Sequence, residues 1–284
     1  MSFSAKSPNS VRLLANVCEI LYNITMEFDG VKDIAIYGTD CVVDISRGND
    51  YAAHFISARE KYFDLAVDDG TLTVRQKSRN IFYRIILHKF EFKLILPKNF
   101  KGKLRFRNKN GGLYIDGVNF TDVDLSTGNG KFDIGDMSCD KFELKMSNGS
   151  VSVKKAAASG SVNIKCANGN IKVESVSAPS LSISCTNATL SAADVTVKKL
   201  ECVTSNGAID ASGVSADEMK LETANGKISA VPIGNRDDYK MFAETSNGGI
   251  VVDGVVYKKI ADAVNAHKRI SAKTSNGDID IRFM

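Results

Sequence analysis

TSNGAIDA (204–211), TANGKISA (223–230), TSNGGIVV (245–252) and TSNGDIDI (274–281) are four copies of one short phrase. Working outward from them, Asn-Gly recurs at Asn110, Asn129, Asn148, Asn168, Asn206, Asn225, Asn247 and Asn276, and Asn187-Ala188 fills the one gap. Successive Asn residues are separated by 19, 19, 20, 19, 19, 19, 22 and 29 positions. A fixed period in this range is the signature of a solenoid. With Asn as position zero, apolar residues recur at −4, −2, +3 and +5, as in Leu144, Met146, Val151 and Val153, and most copies add another at −6 and +8. A spacing of two places side chains on one face of a strand, so each copy holds two strands and a short third side. Asn and Gly tolerate positive φ, which suits a sharp corner between them. Stacked Asn amides are then expected to hydrogen-bond from coil to coil.

Asn-Gly between alternating strands is also a type I′ hairpin signal. A two-residue hairpin would pair −2 with +3 and keep the apolar positions on one side. Nine hairpins in series, however, require neither a constant period nor an apolar residue at +8, whereas matching coil circumferences require both. The fold expected is therefore all-β: a parallel β-solenoid (β-helix) of about nine coils of ~19 residues over 104–284. Residues 1–103 form a β-rich N-terminal cap or irregular first coils, because 31–100 alternate (Ile34/Ile36, Val43/Ile45, Phe90/Phe92/Leu94/Leu96) without the Asn period. Pro97 and the polar stretch after it mark the boundary. Between Asn247 and Asn276, Ile260, Val264 and His267 stand at helical spacing, which predicts a short helix in an insertion over 256–269. The last strand, Ile279 to Met284, reads as an open edge suited to end-to-end self-association.

A hydrophobic fraction of 43% with 25% charged residues is that of a folded soluble protein, and a net charge of +4 without a basic run gives no case for nucleic acid. No segment reaches the roughly 18 apolar residues of a spanning helix, and no export signal is visible, so the chain reads as cytoplasmic by sequence alone. The six cysteines (Cys18, Cys41, Cys139, Cys166, Cys185, Cys202) lack C-x-x-C spacing and read as buried thiols. Cys166 and Cys185 both occupy −2, where they stack in the core or, as the rival reading, form a redox staple.

β-Helices include polysaccharide-cleaving enzymes, whose sites need carboxylates on neighbouring coils of an outer face. Outward position +4 reads Tyr114, Asp133, Ser152, Lys172, Ser191, Asp210, Ser229, Val251 and Asp280, with no two acids adjacent. Positions −5 and −3 carry Glu143 with Lys145, Asn163 with Lys165 and Lys220 with Glu222, a solvated face of mixed charge. His54, His88 and His267 form no metal motif, and neither a P-loop nor Gly-x-Ser-x-Gly is present. No catalytic, metal or cofactor residue is assigned; the candidate residues are the nine corner asparagines, in a structural role.

The TSNG phrases, with DGTLTV (69–74) and LPKNF (96–100), resemble bacterial putative adhesins, domain-of-unknown-function proteins with β-strand repeats, over roughly 31–284. That resemblance implies a non-catalytic binding or scaffold module at the cell envelope, with a glycan or protein as partner. It transfers no catalytic residue. The alternatives are a polysaccharide-active β-helix enzyme and a self-assembling structural solenoid.

Overall fold

In the computed structural model the described residues are 12–15, 24–27, 30–55, 62–77, 90–262 and 266–284. They form a mostly parallel sheet wound into rungs, and the chain divides into two compact units, Met1–Cys139 and Asp140–Met284.

In the second unit the rungs through Asn148, Asn168, Asn187 and Asn206 have three sides. Lys141–Lys154 runs through the Asn148 corner, and Ala156–Ala158 makes the short third side before Ser161–Glu174 begins the next rung. Stacking is in register, Leu144↔Ile164↔Ile183↔Cys202↔Leu221 on one side of the corner and Ile171↔Leu190↔Ile209↔Ile228 on the other. Position +8 points inward in these four rungs, where Ala156, Val176, Val195 and Val214 are buried, whereas its counterparts Ile233, Val255 and Met284 are exposed. Because the four rungs repeat the same inward set, their core is a bundle of columns in which each side chain sits on its own equivalent.

A second corner, at +7, carries no sequence signature. Lys155, Ser175 and Asp194 there have φ of 51°, 54° and 52°, and Gly213 has 62°. Left-handed backbone costs a residue with a Cβ roughly 1–2 kcal/mol. It is held because each amide donates to the +6 carbonyl of the next rung, Lys155 to Glu174, Ser175 to Ala193 and Asp194 to Ser212.

The rungs do not follow chain order at the far end of this unit. The Asn225 rung pairs with the Asn276 rung, which pairs in turn with the Asn247 rung. Ile279 accordingly lies between Ile228 and Ile250. The strand Ile279–Ile281, expected to be an open edge, is thus hydrogen-bonded on both sides. The helix expected over 256–269 is not formed by its described residues. Asp253 and Gly254 adopt φ of 49° and 81°, a hairpin turn that sends Val255–Tyr257 back antiparallel along Ile250–Val252. Ile260–Ala261 then pairs antiparallel with Phe242–Ala243, and Ile260 is buried over the last rung. Strand pairing wins here because the outermost rung offers free backbone groups, which a helix could not satisfy. Val264 lies outside the described residues. The other insertion makes a short 3-10 turn, Arg236–Asp238, tied down by Arg236 to Asp262 at 2.6 Å and by the Tyr239 hydroxyl donating to the Ile233 carbonyl at 2.9 Å.

The first unit is interleaved in the same way. Asp33–Tyr37 and Cys41–Gly48 make one rung, with Ile34 opposite Leu104 and Val43 opposite Leu113 of Gly102–Asp116. Thr71–Gln76 and Phe90–Pro97 stack on its other side, Ile34 opposite Leu72 and Val43 opposite Phe92. The described strands 33–48, 71–76 and 90–97 therefore stack as rungs without the Asn period. Their outermost members are covered by antiparallel strands, Phe63–Asp68 on Thr71–Gln76 and Ala52–Phe55 on Phe90–Pro97. The sequence boundary near 103 falls inside this unit.

Interleaving makes a firm prediction. Deleting residues from Lys268 onward removes the rung between Asn225 and Asn247, so residues 239–261 lose their only parallel partner among the described residues. Amide exchange over 239–252 should then rise to that of an unprotected segment while 141–206 stay protected. Continued protection of 239–252 would contradict the topology.

Candidate functional site

The nine sequence-predicted asparagines form rows along the corners. In the first unit the Asn129 amide donates to Asn110 Oδ1 at 2.7 Å, and Asn110 donates to Asp40 Oδ1 at 2.9 Å, so an aspartate takes the corner place in the 33–48 rung. In the second unit the amides run Asn168 to Asn148, Asn187 to Asn168, Asn206 to Asn187, Asn225 to Asn206, Asn276 to Asn225 and Asn247 to Asn276, all at 2.7–2.8 Å. Each of these second-unit side chains is exposed. The row is a surface ladder, and each bond adds less than a buried one would.

Gly at +1 answers a different need. A Cβ built on Gly130 would lie 1.5 Å from the Gly111 carbonyl oxygen, and one on Gly169 would lie 1.6 Å from that of Gly149. Both glycines have φ beyond 140°. Thr at −2 completes the phrase: Thr223, Thr274 and Thr245 donate their hydroxyls to the +1 carbonyls of the neighbouring rungs, Gly207, Gly226 and Gly277, at 3.1, 3.1 and 2.9 Å. This bond explains the T in TSNG. Rungs with Met146, Cys166 or Cys185 at −2 lack it. Asn206→Ala removes two ladder bonds at an exposed position, and a loss of about 1 kcal/mol in denaturant unfolding is expected. Unchanged stability would make the ladder incidental.

With the rungs in their true order the +4 row of the second unit is Ser152, Lys172, Ser191, Asp210, Ser229, Asp280 and Val251, still without adjacent acids. Asp280 is held by Arg282 at 3.0 Å and Lys227 at 3.7 Å. Among the described residues no cluster of His, Cys, Asp and Glu could hold a metal ion. His88 and Cys18 lie outside them.

The five described cysteines, Cys41, Cys139, Cys166, Cys185 and Cys202, are buried. Burial pushes the Cys41 and Cys202 thiols up to about 12, and burial together with the neighbouring Cys185 raises Cys166. A thiol that stays neutral is a poor nucleophile. These thiols are expected to resist alkylation at pH 8 in the folded protein and to react within minutes once it is unfolded. Because the unfolded chain ionises its thiols near pH 9, stability should fall as pH rises from about 9 towards 12. Rapid native labelling of any of the five would overturn the assignment.

The outer face is indented where the −5 and −3 positions read, by sequence, as a solvated face of mixed charge. A shallow cleft of about 250 Å³ is lined by Glu143, Leu144, Lys145, Asn163 and Lys165. It exists because −5 and −3 side chains of adjacent rungs stand in register, Glu143 beside Asn163 and Lys145 beside Lys165. Ser182 and Ser184 follow on the next rung. Glu143 is engaged by Lys141 at 3.0 Å. Lys145 and Lys165 are both exposed, and neither has an acidic partner among the described residues. Like charges directly opposite on neighbouring strands repel. Elsewhere on the same face the pattern is the reverse, with Lys220 bonded to Glu201 at 3.0 Å and to Glu222 at 3.3 Å. The signal was present in the repeat alignment as Lys, Lys, Ser at −3 of three successive rungs. It became a site only when register placed the two lysines together.

The chain is similar to solved structures of a putative adhesin from Bacteroides fragilis (14% identity, covering 94% of this chain and 98% of that one, TM-score 0.47) and a putative adhesin from Parabacteroides merdae (15%, 93% and 96%, 0.35). It is also similar to a putative cell adhesion protein from Clostridium sporogenes (13%, 97% and 99%, 0.30). No curated protein matches. The family model of Toastrack DUF4097 matches residues 31–282, and the chain belongs to that family.

Proposed function

We propose that this protein is a non-catalytic binding module, an adhesin-like component of the bacterial cell envelope, that holds an extended anionic glycan across its outer ladder. The observation that carries the reading is the in-register pair Lys145 and Lys165 in the cleft, two cations with no acid of their own. A carboxylate or phosphate between them would relieve their repulsion and take charge-assisted hydrogen bonds from both. Asn163 and the hydroxyls of Ser182 and Ser184 supply donors and acceptors for the sugar on either side. The rungs repeat every ~4.8 Å, which offers a stiff polymer one contact row after another without a folding cost on the protein side. No helix among the described residues is long and apolar enough to cross a membrane, so the reading assigns the membrane no spanning part.

The experiment is a binding titration with a polyuronate and with a poly(glycerol phosphate), beside a neutral glucan as control, for the wild-type protein and for K145E/K165E. Each lysine should contribute about 1 kcal/mol, so the double variant should bind either anionic polymer roughly 10-fold or more weakly, with wild-type binding falling as salt rises. Which polymer binds distinguishes carboxylate from phosphate. Equal affinity of the variant, or preference for the neutral glucan, would sink the proposal, and chain cleavage during the titration would replace it with the enzyme reading.

A further inference from the structure

The hairpin at 250–257 departs from the rules that the rest of the sheet obeys. Strand geometry buries every second residue, yet Val255, Val256 and Tyr257 are 54%, 75% and 40% exposed in succession. The strand pairs with Ile250–Val252 on one side and, among the described residues, with nothing on the other. Its turn is equally open: a Cβ added at Gly254 would meet no atom within 4 Å. One edge strand of the first unit is built differently. Phe63–Asp68 alternates, presenting Asp64 and Asp68 outward with Lys77 bonded to Asp64 at 2.7 Å, the charged protection typical of an edge. Val255–Tyr257 has the free backbone edge without that protection, and both its faces are apolar.

We propose that this edge is an interaction surface for a second copy of the chain, the two strands pairing antiparallel about a two-fold axis at Val256. The local sequence is self-complementary in that register. Val255 stands opposite the second copy's Tyr257, an aromatic against β-branched pair repeated on each side of the two-fold. A lipid surface would cover the valines but would leave the strand's edge N–H and C=O groups unpaired, whereas a second strand satisfies both. The contact is isologous and uses the edge up, so it closes as a dimer and does not propagate into a fibre. Three paired residues and their flanks fall well short of the ~800 Å² per partner of a stable interface, so the dimer should dissociate in the micromolar to millimolar range.

The test is sedimentation velocity from about 1 µM to about 1 mM, with Val256→Lys and Val256→Cys variants. Val256 is the most exposed of the three, and its replacement leaves the core untouched. The wild-type chain should dimerise across this range and Val256→Lys should raise the dissociation constant at least 10-fold. Val256→Cys should form a disulfide-linked dimer on mild oxidation, since residues on the two-fold face each other across the pair, while Ser229→Cys on an outer rung face should not. A monomer at every concentration with no crosslink above the Ser229→Cys control would overturn the proposal. So would a dimer indifferent to Val256→Lys, or binding to anionic phosphatidylglycerol vesicles that Val256→Lys abolishes in a chain that stays monomeric.

Discussion

The distance between stacked parallel strands, ~4.8 Å, is the constraint on which the rest of this structure depends. At the corner the carbonyl of one rung's +1 residue points at the +1 α-carbon of the next, and at Gly130 and Gly169 a methyl group would fall less than 2 Å from that oxygen. A long run of rungs can close up at that corner only where +1 is Gly or where the local path changes, as at Ala188, which stays out of the positive-φ region. Once the backbones are that close, the side chains on either side of the corner must stack on their own kind. The Asn amides do so outside and the Thr hydroxyls inside. The phrase TSNG is thus the chemical record of one steric fact read at three of its four positions.

A stack built this way has ends, and each unit handles its outermost rung by the same device. The outermost rung is supplied by a segment internal to the chain, and the segment beyond it in sequence returns to sit one rung further in, as the 268–281 rung does between the Asn225 and Asn247 rungs. Short antiparallel strands then run along the outer edge. Detaching either outermost rung, 71–97 or 239–252, requires breaking pairings with a segment far away in sequence. Such non-local pairing slows folding and resists unravelling. It also means that rung-by-rung additivity, normally a fair description of solenoids, fails at these places.

The candidate site shows what a repeat can and cannot announce. Lys145 and Lys165 fall at the same repeat position, so their alignment was available from the period. Their meaning was not, because exposed lysines in a mixed-charge face are ordinary until the position of every acid is known. Glu143 lies two residues from Lys145 on the same strand face, and in the fold it is taken by Lys141. On the +4 row the period set no two acids side by side, and the true rung order moved Asp280 next to Ser229.

Which residues face the core, where the Asn-Gly corners fall, and that the strands stack in parallel were all readable from the sequence, since these follow from local periodicity and the conformational range of two residue types. The left-handed corner at +7 was not, because it is imposed on Lys155, Ser175 and Asp194 by hydrogen bonds from the next rung and not by any preference of their own. Nor was the order of the rungs. The Asn225, Asn247 and Asn276 phrases are close to interchangeable, so no local signal says which neighbour each takes. The segment between Asn247 and Asn276 looked helical by spacing and folds in its described part as strands, because an outermost rung has backbone groups to satisfy. Periodicity is a property of the chain and belongs to the sequence; adjacency among near-identical repeats is decided only when the connections close and every edge must find a partner.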